Sequence, residues 1–474
     1  MRRAAASARR LRVTWDGLVD GTGDGAVRLI AVREETREAT VAALPRAAAD
    51  WVRACGYTAK PGTVLLLPGD GDAPLGGALV GVIGDDDMWS WGGAAAALPN
   101  GRYCVEADLS ARSATRIALG WALGRYRFER YKSGARAEPE LVWPDAADRD
   151  AARAAATATR LARDLINTPA ADLGPDALAD AAAELAATHK AALSVVAGDE
   201  LIARNLPAIH AVGRAAEKAP RLIDLAWGRK TAPKVTLVGK GVCFDTGGLD
   251  LKPSRAMGLM KKDMGGAAVA LGLAHMIMAA RLPVRLRVLI PAVENSVSGS
   301  AMRPRDVLQT RKGLTVEVGN TDAEGRLILA DALALACEDK PALVLDFATL
   351  TGAARSAVGT EIAALFTPHD DLAESLQRHG VAEDDPVWRL PLWRPYRRLI
   401  DSPVADINNA GDSPYAGAIT AALFLREFVE AELPWAHFDI MAWNVGARPG
   451  RPEGGEAMAM RAAFAAITER FGSA

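Results

Sequence analysis

The amino-acid sequence predicts an α/β protein of two domains, a small N-terminal α/β domain and a larger C-terminal α/β domain with a mostly parallel central sheet flanked by helices. The chain has 474 residues, more than one hydrophobic core usually organises. Short apolar runs alternate with helical patterns in its second half, as they do when helices cover both faces of a parallel sheet. The segment 138–150 is rich in Pro, Asp and Ala and is predicted to be a linker. We therefore expect domains at 1–150 and 151–474.

The N-terminal part contains short apolar runs separated by turn-forming residues, which is typical of the strands of a small α/β domain. One helix is predicted over 113–131, where Ile117 and Trp121 contribute to an apolar side. The predicted strands are 27–32, 64–67, 78–83 and 103–105.

The C-terminal part begins with an Ala-rich helix over 151–166, which Asn167-Thr168-Pro169 ends before a new helix starts near Pro175. Beyond residue 190, strand, loop and helix patterns follow one another repeatedly, which predicts the mostly parallel sheet. The predicted strands are 221–226, 235–238, 284–290, 315–318 and 342–347, and the predicted helices are 265–280 and 327–337.

Composition argues against several classes of function. The 56 basic and 58 acidic residues give a formal net charge of −2, so the chain as a whole does not attract nucleic acid or a membrane surface. The longest uncharged stretch, 264–280, is shorter than a typical membrane-spanning helix. No apolar segment follows the Arg-rich N-terminus 1–12, which is expected to be a solvated tail rather than a secretory signal. A cytoplasmic location without membrane partners is predicted.

Cysteine and histidine are scattered along the chain. The four cysteines share no metal-type spacing and indicate reduced thiols rather than a disulfide framework. The six histidines are dispersed as well, so any metal site is expected to consist mainly of oxygen ligands.

Four acids, Asp245, Asp263, Asp322 and Glu324, each stand near a predicted strand or helix end, among glycines. Because ligands bind at the carboxyl ends of strands in open α/β sheets, these carboxylates are expected to meet. They would repel one another without compensation, and two divalent cations would neutralise them. Asp322 and Glu324 are two residues apart, so an extended backbone would point both side chains to one side.

Each of these segments alone has a simpler explanation. An Asp-x-Glu loop is usually a solvated turn, and Gly239-Lys240-Gly241 lacks the spacing and the Ser/Thr of a phosphate-binding loop. The prediction of a metal site therefore depends on the segments occurring together.

Three motifs resemble those of the cytosolic leucyl aminopeptidase family in sequence, order and separation. They are GKGVCFDTGGLDLKPS at 239–254, MKKDMGGAA at 260–268 and NTDAEGRL at 320–327. The resemblance extends from about Asn167 to the C-terminus. It includes NTPAADLGP at 167–175, ATLTGA at 348–353, DINNAGDSPYAGAITAALFLREFV from Asp406 and WAHFDIMAWN from Trp435.

The chain departs from the family pattern at several places. Thr246 stands where the family usually has Ser, and Met441-Ala442 stands where many relatives have Ala-Gly. The N-terminal domain matches the family poorly beyond GWALGRYRFERYK at 120–132, and family membership would give that domain a role in assembly.

The resemblance implies a two-metal aminopeptidase that removes leucine-like N-terminal residues from peptides. One metal ion would be held by Asp245, Asp322 and Glu324. The other would be held by Asp245 and Glu324 as bridging ligands, together with Lys240 and Asp263. Lys240 can coordinate only as a neutral amine, so a neighbouring cation would have to lower its pKa strongly. Mn²⁺ or Zn²⁺ is expected, with Co²⁺ and Mg²⁺ as alternatives.

The same resemblance makes Lys252 and Arg326 the catalytic residues. A water between the metals would attack the scissile carbonyl, and the free α-amine of the peptide would bind one metal. Lys252 would place its ammonium at the developing oxyanion, and Arg326 would hold a bicarbonate ion as proton shuttle, since an arginine itself stays protonated. A homohexamer is also implied. The residues matching the family's side-chain pocket are Met260, Thr349, Gly352 and Ala353.

Three other functions stay open at this point. A two-metal hydrolase could act on another amide or on a phosphoester. A nucleic-acid-binding role, which some relatives have, is disfavoured by the balanced charge. A catalytically inactive homologue is disfavoured because all seven key side chains are present.

Overall fold

A computed structural model describes residues 17–69, 75–132 and 138–472. The tail predicted over 1–12 lies outside these residues. The chain forms two compact units. The smaller unit contains the residues up to Arg160 together with Gly446–Glu453, and the larger unit contains Leu161–Val445 together with the residues from Gly454 onward. None of the helices in the described ranges combines the length and the apolar composition of a membrane span.

The smaller unit is a six-stranded sheet covered by helices. Its strands are β1 Leu18–Val19, β2 Val27–Val32, β3 Val64–Pro68, β4 Leu75–Gly81, β5 Gly101–Val105 and β6 Pro139–Val142. Its helices are α1 Arg37–Ala43, α2 Arg46–Ala54, α3 Met88–Ala97 and α4 Ala111–Gly124. The strand order is β1-β6-β5-β2-β4-β3, and every neighbouring pair is parallel except β3 and β4.

Two predictions for this part of the chain are wrong in detail. The helix predicted over 113–131 ends at Gly124, where the absence of a side chain lets α4 approach α3: a Cβ on Gly124 would lie 2.6 Å from the Cα of Gly92. The segment 138–150 is not a linker, because it contains β6, whose buried Leu141 pairs with β5. Pro139, one of the two prolines in this segment, is the first residue of that strand, a position that needs no amide donor.

Helix α5, Arg149–Asn167, begins among the residues of the smaller unit and ends among those of the larger unit. The further helices of the larger unit are α6 Pro175–His189, α7 Glu200–Ala203, α8 Pro207–Gly213, α9 Ser254–Met257, α10 Gly265–Ala279, α11 Glu324–Glu338, α12 Gly352–Val358, α13 Asp370–Ala382, α14 Gly417–Arg426 and α15 Met460–Phe471, with 3-10 helices at Met260–Met264 and Arg394–Ile400.

The strands of the larger unit are β7 Ala192–Ala197, β8 Arg221–Trp227, β9 Lys234–Gly239, β10 Gly241–Asp245, β11 Arg285–Asn295, β12 Val307–Gln309, β13 Thr315–Glu317, β14 Leu343–Ala348, β15 Ala363–Phe366, β16 Val387–Arg389, β17 Ile407–Asn408, β18 Trp435–Asp439, β19 Trp443–Asn444 and β20 Gly454–Gly455. Nine of them form the main sheet, in the order β16-β15-β18-β14-β9-β11-β8-β7 with β10 beside β11.

The four central strands β18, β14, β9 and β11 are parallel, and the almost wholly buried helices α10 and α11 pack against them. The predicted fold, two α/β domains with a mostly parallel sheet flanked by helices in the larger one, is confirmed. One predicted strand is placed differently. The segment predicted over 315–318 becomes β13 of a separate three-stranded sheet, between β12 and β17.

Candidate metal centre

Five charged side chains meet beyond the carboxyl ends of the central strands. Lys240 lies between β9 and β10, Asp245 ends β10, and Asp263 lies in the 3-10 helix that leads into α10. Asp322 and Glu324 come from the turn that begins α11. The structure therefore brings together all five residues that the resemblance assigns to metal ions, which we call the carboxylate cluster.

The backbone that joins Asp322 and Glu324 does not have the extended conformation that the sequence analysis expects. Glu324 is the first residue of α11, and the Asp322 amide is bonded to the Asn320 side chain at 2.7 Å in the preceding turn. The two carboxylates are thus aligned by a turn entering a helix, and not by the alternation of a strand.

The Lys240 backbone is fixed on both sides. Its N–H donates to the carbonyl oxygen of Phe347 at the end of β14, and its carbonyl oxygen accepts from Ala267 N in α10, both at 2.9 Å. Its side chain runs over Gly325, where a Cβ would lie 2.7 Å from Lys240 Nζ. A glycine is therefore required beside Glu324 for the lysine to enter the cluster.

Lys252 returns to the cluster through a tight loop after β10. Gly247 and Gly248 have φ angles of +88° and +66°, in the left-handed region that favours glycine. This turn lets Lys252 N donate to the carbonyl oxygen of Thr246 at 2.9 Å. The ammonium then lies 2.9 Å from Asp245 Oδ2 and in contact with Asp322 Oδ1.

Ion-pair distances link the rest of the cluster. Lys240 Nζ lies 2.8 Å from Asp263 Oδ2 and 2.9 Å from Glu324 Oε1. Asp245, Asp322 and Glu324 each offer a carboxylate oxygen within 4.8 Å of the others. Three oxygens at this spacing can be ligands of one divalent cation.

Neutral groups orient two of the carboxylates. Asp245 Oδ1 accepts hydrogen bonds from Gly247 N at 2.8 Å and from Asn295 Nδ2 at 2.9 Å. Asp263 Oδ1 accepts from Thr349 Oγ1 at 2.7 Å. These bonds leave the other oxygen of each carboxylate directed towards the lysines.

Burial and like charges raise the pKa of both acids on the α11 turn. For Glu324 and Asp322 burial is the larger cause, and the nearby Asp245 carboxylate adds to it. Burial acts in the opposite direction on Lys240 and Lys252, but the surrounding carboxylates outweigh it and raise the pKa of both ammonium groups. The cluster is therefore a site that holds positive charge.

The donor set fits divalent metal ions. The buried oxygens Asp263 Oδ2, Asp322 Oδ1 and Glu324 Oε1 lie at ion-pair distance from a lysine, yet none accepts a hydrogen bond of normal geometry. The charge that these oxygens face is held by Lys240 and Lys252, and divalent cations would supply positive charge at the same place. Lys240 would join the ligands only when a cation among these carboxylates lowers its pKa.

Arg326, two residues after Glu324 on α11, is buried beside the cluster. Its Nη1 donates to the carbonyl oxygen of Asn409 at 2.5 Å, and its Nε is buried without a hydrogen-bond acceptor among the described residues. Burial lowers the pKa of Arg326 to about 10, so the side chain stays protonated at neutral pH. It can hold an anion but cannot act as a base.

The four residues predicted for the side-chain pocket are not placed alike. Thr349 lies directly on the cluster, where its hydroxyl bonds Asp263 and its carbonyl oxygen accepts from Lys240 Nζ at 3.1 Å. Met260 is buried at the start of the 3-10 helix that carries Asp263. Gly352 and Ala353 are exposed in the first turn of α12.

Sequence reasoning missed three residues that hold this site. Asn295 orients Asp245 from the end of β11. Asn409 Oδ1 accepts from Gly319 N at 2.8 Å and from Asn320 N at 3.2 Å, which fixes the loop before Asp322. Asp439 at the end of β18 accepts from Leu350 N, Thr351 N and Thr351 Oγ1, at 3.0, 3.2 and 2.6 Å. All three stand at or just after strand ends, which is the signal that could have found them.

His437 and Trp435 have the structural role suggested by their strand. Both donate to the buried Asp346, from Trp435 Nε1 at 2.7 Å and from His437 Nδ1 at 2.5 Å. They therefore pack the sheet below the site and do not enter it.

A buried group of carboxylates and lysines at the strand ends of such a sheet is a candidate centre for divalent metal ions. The sequence model of the cytosol aminopeptidase family, catalytic domain, matches residues 160–464, and that of the M17 aminopeptidase N-terminal domain matches residues 27–144. The chain belongs to the cytosol aminopeptidase family, peptidase family M17. The poor match expected for the N-terminal domain is therefore wrong, because that part of the chain has its own family model.

Individual relatives agree with this assignment. A "Probable cytosol aminopeptidase" of Roseiflexus castenholzii is 44% identical over 348 residues, which cover 70% of this chain and 71% of the relative. The crystal structure of the cytosol aminopeptidase from Coxiella burnetii is 46% identical, covers 96% of this chain and 99% of its own, and has a TM-score of 0.92. The bottromycin maturation enzyme BotP in complex with Mn is 36% identical, covers 94% and 99%, and has a TM-score of 0.85.

These findings confirm the predicted family and the class of metal-dependent aminopeptidase acting on peptides. The roles of individual residues, the preferred N-terminal residue and the assembly stay predictions.

Proposed function

We propose that this chain is a two-metal aminopeptidase that hydrolyses the N-terminal peptide bond of peptides. The observation that supports it most is the meeting of Asp245, Asp322 and Glu324, with oxygens within 4.8 Å of one another, beside two lysines. Lys240 and Asp263 complete the proposed ligand set. Two divalent ions, Mn²⁺ or Zn²⁺ with Co²⁺ or Mg²⁺ as alternatives, would polarise the scissile carbonyl and lower the pKa of the attacking water.

Lys252 is the proposed stabiliser of the oxyanion. Its ammonium lies at the cluster on a loop held by backbone bonds, so it can face the carbonyl oxygen as negative charge develops there. Carboxylates keep this ammonium protonated by raising its pKa, so it acts as a hydrogen-bond donor and not as a base.

Arg326 is the proposed holder of the anion that moves protons. Its buried Nε has no acceptor among the described residues, and its charge persists because a pKa of about 10 lies well above neutrality. Bicarbonate is a planar oxyanion that a guanidinium can bind through two parallel hydrogen bonds, and its oxygens can take up and release the proton.

The preference for leucine-like residues rests on the match of Met260, Thr349, Gly352 and Ala353 to the pocket of the family. We propose a cytoplasmic location, which is supported by relatives named probable cytosol aminopeptidase. We also propose a homohexamer, assembly through the domain 1–150, catalysis by the domain 151–474, and no nucleic-acid or membrane partner. The mass of the purified particle in solution tests the assembly.

The function is tested by hydrolysis of aminoacyl-p-nitroanilides after chelation and after addition of Mn²⁺ or Zn²⁺. We expect activity to vanish with the chelator and to return with metal. Asp322→Ala is expected to be inactive, while Asp371→Ala, which removes an exposed carboxylate on α13, should behave as the unmodified protein. Metal-replete protein that cleaves no free-amine substrate would contradict the proposal.

A further inference from the structure

One cation beside the proposed side-chain pocket, Arg355, has no carboxylate at ion-pair distance in the part of the chain that the structure describes. Arg355 lies on α12, three residues after Gly352, so both face the same side of that helix. The segment from Thr349 to Arg355 starts on the carboxylate cluster, where Thr349 bonds Asp263. Arg355 is therefore one helical turn beyond the residues proposed to contact the substrate side chain.

The guanidinium of the partly exposed Arg355 lies beside a thioether and a glycine. Its Nη1 lies 3.4 Å from the sulfur of Met441, and its Nη2 lies 3.3 Å from the point that a Cβ on Gly352 would occupy. A thioether is only a weak acceptor. No carboxylate of the described residues lies within ion-pair distance of Arg355, whereas the half-buried Arg287 has both Asp224 and Asp339.

We infer that Arg355 is a specificity-determining residue of this pocket and that the enzyme accepts N-terminal glutamate and aspartate, whose side-chain carboxylate pairs with the guanidinium. This inference rests on the proposed function. Methionines 260 and 441 supply apolar contact for the methylene groups, and Arg355 supplies the donors at the pocket end. N-terminal lysine and arginine are disfavoured by the same charge.

The test compares tripeptides that differ only in an N-terminal Glu or Gln, because these side chains have the same shape and differ in charge. We expect kcat/KM to be at least about tenfold higher for Glu, as one charge-assisted bond provides. Arg355→Gln and Arg355→Met should reduce the Glu-to-Gln ratio to about one, and Arg355→Lys should retain part of it. Arg355→Met keeps the aliphatic packing, so its ratio reports charge rather than a folding defect.

The matched control is Arg378→Gln on α13, whose guanidinium pairs with Glu469 and which should keep the original ratio. A leucyl peptide is cleaved in parallel as the reference for the proposed function. Cleavage of the leucyl peptide with no preference for Glu over Gln would overturn the inference alone. An Arg355→Gln variant with an unchanged ratio would do the same, and failure to cleave any peptide would overturn the proposed function too.

Discussion

Two buried groups of charges in the larger unit satisfy their carboxylates differently. Each oxygen of Glu456 accepts two hydrogen bonds, Oε1 from Arg163 Nε and Ala457 N at 3.3 and 3.0 Å, and Oε2 from Arg163 Nη2 and Asn444 Nδ2 at 3.0 and 2.8 Å. In the carboxylate cluster, three buried oxygens accept no hydrogen bond of normal geometry. The comparison teaches that burial alone does not mark a functional carboxylate. The mark is a buried oxygen that accepts no hydrogen bond of normal geometry and faces only the ammonium group of a lysine.

The largest expected effect comes from replacing the buried glutamate of the carboxylate cluster with glutamine. Glu324→Gln should lower kcat/KM by about a thousandfold or more, because metal polarisation of the substrate is worth several kcal/mol. Its cost in stability should be small when chelated, metal-free proteins are compared, since burial already disfavours the charged form of this side chain. Peptide hydrolysis and urea unfolding are measured on the same preparations.

Glu456→Gln should show the opposite pattern. It breaks the buried ion pair between Glu456 and Arg163, and breaking such a pair costs about 3–5 kcal/mol of the free energy of unfolding. The folded fraction should hydrolyse peptides at the original rate. If Glu456→Gln removed activity without loss of stability, the distinction between the two groups of charges would be wrong.

An intermediate effect is expected from Lys252→Met. Loss of a donor at the oxyanion should lower kcat by about 10²–10³-fold while KM changes little. Lys218→Met is the matched control, because this lysine forms a surface ion pair with Asp176 at 3.0 Å. Steady-state kinetics on a leucyl substrate separate kcat from KM, and a change confined to KM would assign Lys252 to ground-state binding.

The smallest effect concerns Asp331, a third buried carboxylate, which accepts from the backbone N–H groups of Ala208, Ile209 and Arg311. Burial raises the pKa of Asp331 to about 7, above its value of about 3.9 in an unfolded chain. Between these values the folded protein keeps a proton that the unfolded chain releases, so stability falls as pH rises.

Relative to Asp331→Asn, which cannot titrate, the unmodified protein should lose about 2 kcal/mol of stability between pH 5 and 6.5. Urea midpoints across this range provide the measurement. Parallel curves for the two proteins would contradict this prediction. They would show that the three backbone hydrogen bonds keep Asp331 ionised across this range.

The sequence predicted the fold and the chemistry-bearing segments, because strand and helix periods and short motifs are local. It did not reveal Asn295 or Asn409, whose partners Asp245 and Gly319 lie 50 and 90 residues away along the chain. Arg355 was missed for the same reason, since its isolation depends on which acids fold near it. Local patterns also misplaced the end of α4 and the sheet of β13, where packing at Gly124 and pairing with β17 decide the outcome.

The order in which the site is built along the chain affects its biosynthesis. The acids of the cluster are translated by residue 324, but Asn409 and Asp439, which fix the loops beside Asp322 and Thr349, are translated later. Strand β18, which pairs with β14, emerges with Asp439. A nascent chain on the ribosome therefore holds the ligands without their geometry, because such distant contacts form only when both segments are present.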